Sequence, residues 1–410
     1  MSQIIHNLKL VNFIYLYIFL MLWNFTNGQM GILSIILILW WLVEGKRKYY
    51  FHKLKEIFLF KPLLILLLFF AYSYLSLLWA ANIDSAMDTV LRFYKYYWIM
   101  IIVLFTVLSS KEAEKGLYIF IISLGVYSLF SILIYLNIVT LPYSDSSDPK
   151  GILAYAIVTP YMAIGFLSAV FMSIYTTNKS MKKLFFFFTI TFFVALFINN
   201  GRAGQIAFFI TLGVYAIVYR KYLLQNYKIL LSGIFLIIFS IFLLFSFGKL
   251  DRLTDSFQEF SNIKEKQFDG SWGARAYAWY AAGDILKENY LVGVGAGDNI
   301  DQFVVYTKTH PSKATWIRTY HNQHLDTLTR FGIIGYLLLW SSVLFLLISL
   351  KSDTLYFSIG IAFFSITYFD GIGDIILLMK PYNTVFMLMF LLLSIISLKR
   401  TKPQSNKVTI

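Results

Sequence analysis

The sequence predicts an all-α polytopic membrane protein, with about twelve transmembrane helices and one long outer loop before the last three. Three observations predict it. Of 410 residues, 59% are hydrophobic and only 14% charged, where a soluble domain has about 45–50% and about 25%. The apolar residues gather in runs near the ~20 residues that an α-helix needs to cross a bilayer. The basic residues favour alternate connecting segments, as the positive-inside rule requires.

The runs lie near 10–26, 28–43, 62–80, 96–109, 116–138, 151–176, 183–199, 203–219, 228–247, 332–350, 354–370 and 382–398. The first follows Lys9, shows no small-x-small cleavage pattern, and reads as a retained helix. The segment 84–97 is amphipathic and carries Arg92 and Lys95, which predicts a helix along the interface. With both termini inside, the inner segments collect Lys46, Arg47, Lys48, Lys111, Lys115, Lys182, Lys183, Arg220, Lys221, Lys351 and Lys402. The short outer loops hold only Arg92, Lys95, Lys150, Arg202 and Lys380. The net charge of +14 is thereby assigned to membrane lipid rather than nucleic acid. The predicted organisation is 1–247 (nine helices), 248–331 (outer loop), 332–398 (three helices) and 399–410 (inner tail).

The outer segment Pro142–Lys150 is acidic and turn-rich, hence solvated. The span interiors hold almost no charge; Asp370 sits at an outer end, with Asp374 just beyond. An ion-coupled transporter needs charge near the midplane, and no internal repeat speaks for a transporter either. Without cysteine, thiolate chemistry and disulfides are excluded.

Chemistry-bearing residues gather on the outer side. Trp272, Ala276, Trp279, Gly283 and Leu286 recur at helical spacing, with Ser271 or Asp269 as cap. Arg275 borders this stripe, where a snorkelling surface arginine is the ordinary reading. Gly293-Val-Gly-Ala-Gly-Asp298 reads as a turn or as a close backbone approach to a ligand. His321 and His324 follow, just above the membrane. They lack a third ligand for a metal, but histidine is the natural general base near neutral pH. Arg202 lies in the minimal outer turn Asn199–Gly204, at the start of a helix. A helix N-terminus attracts phosphate, and an arginine adds a bidentate fork; the ordinary alternative is an interfacial anchor. Asp298, Asp301 and Asp326 are the loop carboxylates open to a divalent cation, though they form no evident cluster. Two arginines and a histidine on one face suit a diphosphate leaving group and a hydroxyl nucleophile.

At these residues the chain resembles the O-antigen ligase and polymerase superfamily of bacterial inner-membrane enzymes. The resemblance covers the layout, the His321-Asn322-x-x-Leu325 start with Phe331-Gly-Ile-Ile-Gly335, and Arg275-x-x-x-Trp279 followed by Gly293-Val-Gly295. Gly371-Ile-Gly-Asp374 is similar to the ligase branch, whereas Gly201 stands where many members carry serine or threonine. The resemblance implies a multi-pass inner-membrane enzyme whose long loop and active site face the periplasm. It would move a glycan from undecaprenyl diphosphate to the lipid A-core of lipopolysaccharide by direct, inverting attack. Arg202, Arg275 and His321 are then the expected catalytic residues, and Asn322, Trp279 and Asp374 the expected substrate contacts, with no metal or cofactor. The sibling polymerase, which joins lipid-linked repeat units, is the alternative within the superfamily. A lipid-linked oligosaccharide flippase is the alternative outside it.

Overall fold

The structure, a computed structural model, describes residues 9–23, 27–45, 48, 50–246, 259, 261–314, 316–317 and 319–401. The expected start of the outer loop (248–258) and most of the inner tail (402–410) lie outside the described residues, as do Lys46 and Arg47.

Every regular element among the described residues is helical, apart from one isolated bridge between Leu141 and Ser144. In chain order the helices are α1 (Leu10–Leu20), α2 (Asn27–Gly45), α3 (Leu54–Leu59), α4 (Lys61–Leu75), α5 (Ile83–Val107), α6 (Ser110–Tyr135), α7 (Tyr155–Tyr175) and α8 (Lys179–Ile198). They continue with α9 (Arg202–Val218), α10 (Arg220–Gln225), α11 (Tyr227–Ser246), α12 (Gly270–Asn289), α13 (Asp298–Thr309), α14 (Gln323–Leu350), α15 (Thr354–Asp370) and α16 (Lys380–Thr401). A helix occupies each expected apolar run. Among the described residues, six segments are long and apolar enough to cross a membrane: Lys61–Leu78, Ser110–Tyr135, Tyr155–Tyr175, Lys179–Ile198, Gln323–Leu350 and Lys380–Leu398. Leu10–Trp23, Gly31–Gly45, Tyr97–Val107, Arg202–Val218 and Thr354–Asp370 are shorter apolar helices. The chain is a membrane protein.

Two boundaries differ from expectation. The amphipathic segment 84–97 and the apolar run after it form one helix, α5, which the Asn82 side chain caps by accepting from Ser85 N at 3.0 Å. No glycine or proline stands between Ile83 and Val107 to break it. Helix α14 starts at Gln323, well before residue 332, and leaves helical geometry at Gly332 (φ 60°, ψ −170°). The motif glycine therefore marks a break inside the helix rather than its start.

The packing order brings distant turns together. Helices α7 and α16 are the most enclosed of the long helices. Helix α9 lies against α7 and α15, α14 against α4 and α15, and α12 against α14. Ala274, Tyr277, Ala278, Ala281 and Ala282 of α12 form a second core with Phe303, Ala314, Ile317 and Tyr320, separate from the membrane-helix core. The buried face of α12 is thus its alanine face, which at 100° per residue lies roughly opposite the expected Trp272–Leu286 stripe. Small side chains let the backbones approach closely, and the larger tryptophans stay at the edge. The expected cap differs too: neither Asp269 nor Ser271 caps α12 with its side chain, and Glu259 Oε2 accepts from Trp272 N at 2.6 Å.

The glycine run 293–297 approaches backbone, as its composition allows, but the backbone it meets is α14. Val294 N donates to Thr329 O (2.8 Å) and Gly295 N to Arg330 O (3.0 Å), and Ile333 N returns to Tyr290 O (2.8 Å). Gly293 has φ 74°, and a Cβ there would run into the Arg330 carbonyl. The contact fills hydrogen bonds that the break at Gly332 leaves open. Inside it, the buried Arg330 Nε donates to Asp326 Oδ2 at 2.9 Å, and its Nη1 donates to Ala296 O.

Candidate functional site

The site is built around one turn, Gly371–Asp374, between α15 and α16. Gln323 holds that turn. Its N–H donates to Gly371 O (2.6 Å) and Asp374 O (3.0 Å), and its buried side-chain Oε1 accepts from Leu377 N at 2.9 Å. Gln323 is the first residue of α14, so the turn sits against the helix start that follows His321. Sequence reasoning passed over Gln323, although it lies in the His-Asn-Gln segment.

His321 has φ 43°, in the left-handed region that non-glycine residues avoid. Such backbone costs about 1–3 kcal/mol and persists only where the surroundings enforce it. Here both flanks are fixed. The Trp279 indole Nε1 donates to Tyr320 O at 3.0 Å. The Asn322 side-chain Oδ1 accepts from His324 N (2.9 Å) and Leu325 N (3.0 Å), capping α14. The strained backbone aims the imidazole at the turn, with Nδ1 buried and 3.6 Å from Asp374 Oδ1. The ring as a whole keeps a third of its surface exposed. Asp374 Oδ1 accepts from Ile375 N at 2.9 Å, which fixes the carboxylate.

Arg275 reaches the same turn from α12. Its Nε donates to Gly373 O at 3.3 Å, and its Nη1 donates to Ser271 Oγ at 2.5 Å and to Ser271 O at 3.3 Å. The guanidinium carbon lies 5.6 Å from the centre of the Trp272 ring, a cation–π distance. Nη2 has no partner among the described residues.

Arg202 arrives from the third side, as the exposed first residue of α9. The neighbouring Ala203 touches the turn: a Cβ on Gly373 would lie 3.1 Å from the Ala203 Cβ. The Asn199–Gly204 turn is itself seated on α7, where a Cβ on Gly204 would lie 2.6 Å from Pro160 N. A Cβ on Gly201 would collide with Thr159 Oγ1, which donates to Tyr155 O at 3.1 Å. The Thr159 hydroxyl occupies the space that a serine or threonine at position 201 would need. The acidic segment 142–150 is less solvated than its composition predicts: Asn200 Nδ2 donates to Ser147 O (2.8 Å), which braces the arginine turn.

The remaining polar residues are committed elsewhere. Both His324 ring nitrogens are engaged, Nε2 with Tyr368 O (2.8 Å) and Nδ1 with the Tyr336 hydroxyl (3.1 Å). His324 is therefore not paired with His321. Asp298 accepts from Ala81 N and Asn82 N, Asp301 from Asn82 Nδ2, and Asp326 from Asn299 and Arg330. Among the described residues no three histidine, aspartate or glutamate side chains converge as a metal site. Asp370, one turn before Asp374, is buried, and neither carboxylate oxygen has a partner among the described residues.

Residues 186–340 match the family described as O-antigen ligase (Wzy_C). The match contains Arg202, Arg275 and His321; the Gly371–Asp374 turn lies outside it. No curated protein matches the chain.

Proposed function

We propose that this chain, whose residues 186–340 match the O-antigen ligase family, is a glycosyltransferase that moves a glycan from undecaprenyl diphosphate to the lipid A-core of lipopolysaccharide. It works on the periplasmic face of the bacterial inner membrane, with about twelve spans read from the apolar runs and their orientation from the charge pattern. The observation that carries this reading is the convergence of three elements on one four-residue turn: Arg275 bonded to Gly373, Ala203 beside Arg202 packed on Gly373, and His321 facing Asp374.

The chemistry follows from that arrangement. Arg202 and Arg275 bind the donor diphosphate and stabilise the charge that grows on it as the anomeric C–O bond breaks. The acceptor hydroxyl attacks the anomeric carbon from the opposite side and inverts it. Its proton passes to His321 Nε2, the nitrogen left available when Nδ1 is turned to Asp374. Asp374 holds the ring orientation and stabilises the imidazolium that forms, as a carboxylate does behind a catalytic histidine. It is thus a positioning residue rather than a substrate contact. Asn322 and Trp279 act alike, by holding the backbone on either side of His321. The guanidinium groups supply the positive charge, so the reaction as drawn needs no metal.

Purified protein in lipid nanodiscs, given undecaprenyl-diphosphate glycan and two acceptors, tests the reading. Transfer to lipid A-core, lost in His321→Ala, supports the ligase. Elongation of the lipid-linked repeat unit instead would assign the polymerase. Movement of the lipid-linked sugar across liposomes without a new glycosidic bond would replace both with a flippase.

A further inference from the structure

A second concavity lies on α12, away from the Gly371–Asp374 turn. It is a cleft of about 940 Å³ whose lining includes Phe268, Tyr280, Asp284, Tyr306, His310 and Lys313. Its size is near the upper end of the ~300–1,000 Å³ usual for small-molecule sites. At 100° per residue, Tyr277, Tyr280 and Asp284 stand at about 200°, 140° and 180° from Arg275 around the helix. One face of α12 thus serves the arginine site and the opposite face forms a wall of the cleft.

The lining has two chemical characters. Aromatic rings supply flat apolar surface: Tyr280 is 52% exposed, and the Tyr306 and His310 rings stack with centroids 4.2 Å apart and planes 11° apart. Between the rings stand polar groups whose charges balance: Lys266 and Lys313 against Asp269 and Asp284. Asp269 pairs with Lys313 at 3.2 Å, and Asp284 pairs with Lys287, which lies outside the lining, at 2.5 Å. A polyanion gains little from such a lining, and a purely apolar ligand would strand the carboxylates. A sugar chain fits both characters, with C–H faces for the rings and hydroxyls for the carboxylates and ammonium groups. The cleft is also joined to the reacting groups by chain. The Tyr277 hydroxyl donates to His310 O at 2.6 Å, and the segment that starts at this cleft residue ends at His321.

We propose that this cleft is an oligosaccharide-binding subsite. It holds the sugar chain of one substrate at a distance while that chain's end reacts at the Gly371–Asp374 turn. The proposal rests on the transferase reading and deepens it. The probes are two water-soluble oligosaccharides, one released from the lipid-linked donor and one from the lipid A-core acceptor. Each is titrated against the full-length protein in nanodiscs by saturation-transfer NMR. Tyr280→Ala and Asp284→Asn alter side chains at the cleft surface and leave the alanine core of α12 intact. Each variant is expected to weaken at least one oligosaccharide about tenfold and to raise KM for the matching substrate by a similar factor, with kcat kept. Loss confined to the donor oligosaccharide, or to the acceptor one, assigns the cleft to that substrate. His321→Ala should bind both oligosaccharides normally while transferring nothing. Wild-type affinity for both probes in both cleft variants would overturn the subsite. Failure of the wild type to transfer to any acceptor would instead overturn the transferase reading, and the titration would still decide whether the cleft binds sugar.

Discussion

Replacing Asp374 by asparagine removes one charge and little else. The side chain keeps its size and an oxygen for the Ile375 N–H, which Asp374 Oδ1 now accepts at 2.9 Å. What changes is the field at His321 Nδ1, 3.6 Å away. Unit charges at that separation attract by about 4.6 kcal/mol at an effective dielectric of ~20 and by about 1.2 kcal/mol at ~80. The imidazole is one-third exposed and the carboxylate is mostly covered, so a value between these limits, about 2–3 kcal/mol, applies to the imidazolium formed in the transition state. That corresponds to roughly a 30- to 150-fold fall in kcat. Donor binding should change little, because the diphosphate is held by the arginines. The assay is glycan transfer to lipid A-core by nanodisc-embedded protein, with kcat and KM determined separately. A second arm repeats Asp374→Asn in a His321→Gln background, whose residual transfer should fall no further if the carboxylate acts through the imidazole. A kcat within threefold of wild type, or an additive loss in the double variant, would refute the reasoning.

Other perturbations test neighbouring parts of the account. Arg275→Lys cannot reach Gly373 O and Ser271 Oγ at once; the loss of one charge-assisted hydrogen bond, about 1.5–3 kcal/mol, should lower transfer at least tenfold in the same assay, whereas near-normal turnover would mark a merely structural arginine. The chain has no cysteine, so Ala203→Cys with Gly373→Cys gives a clean proximity test. Mild oxidation should link the pair after a small backbone adjustment, as read by mass spectrometry of the tryptic peptides; two free thiols would separate the arginine turn from Gly371–Asp374. Arg330→Met leaves Asp326 buried without its cation, which costs about 3–5 kcal/mol. Its Tm in detergent should drop clearly, and adding Asp326→Leu should restore much of the loss.

Much of the fold was legible because lipid imposes a simple rule: a crossing segment must be apolar and long. Each expected run holds a helix for that reason. The boundaries that moved did so for local reasons invisible to hydropathy. Asn322 caps α14 ahead of the apolar run, and nothing interrupts α5 between its amphipathic and apolar parts. The face of α12 was misjudged because burial there follows side-chain size: Ala274, Ala278 and Ala281 go inside while Trp272 and Trp279 flank Arg275. The candidate residues could be picked out by type, and the structure brings elements carrying Arg202, Arg275 and His321 to one turn. The part played by that turn was not readable. Gly371–Asp374 is distant in sequence from all three, and only the packing of α9 and α14 on α15 places it among them. Nor does composition reveal that Gly293–Gly297 accommodates α14, since glycine permits a close approach without naming what approaches.

The central claim is that Arg202 and Arg275 hold the donor diphosphate beside His321. Equilibrium binding of undecaprenyl diphosphate to nanodisc-embedded protein tests it most directly. The account predicts that Arg202→Ala and Arg275→Ala each weaken binding at least tenfold, while His321→Ala binds as wild type and transfers no glycan. Unchanged affinity in both arginine variants would contradict it.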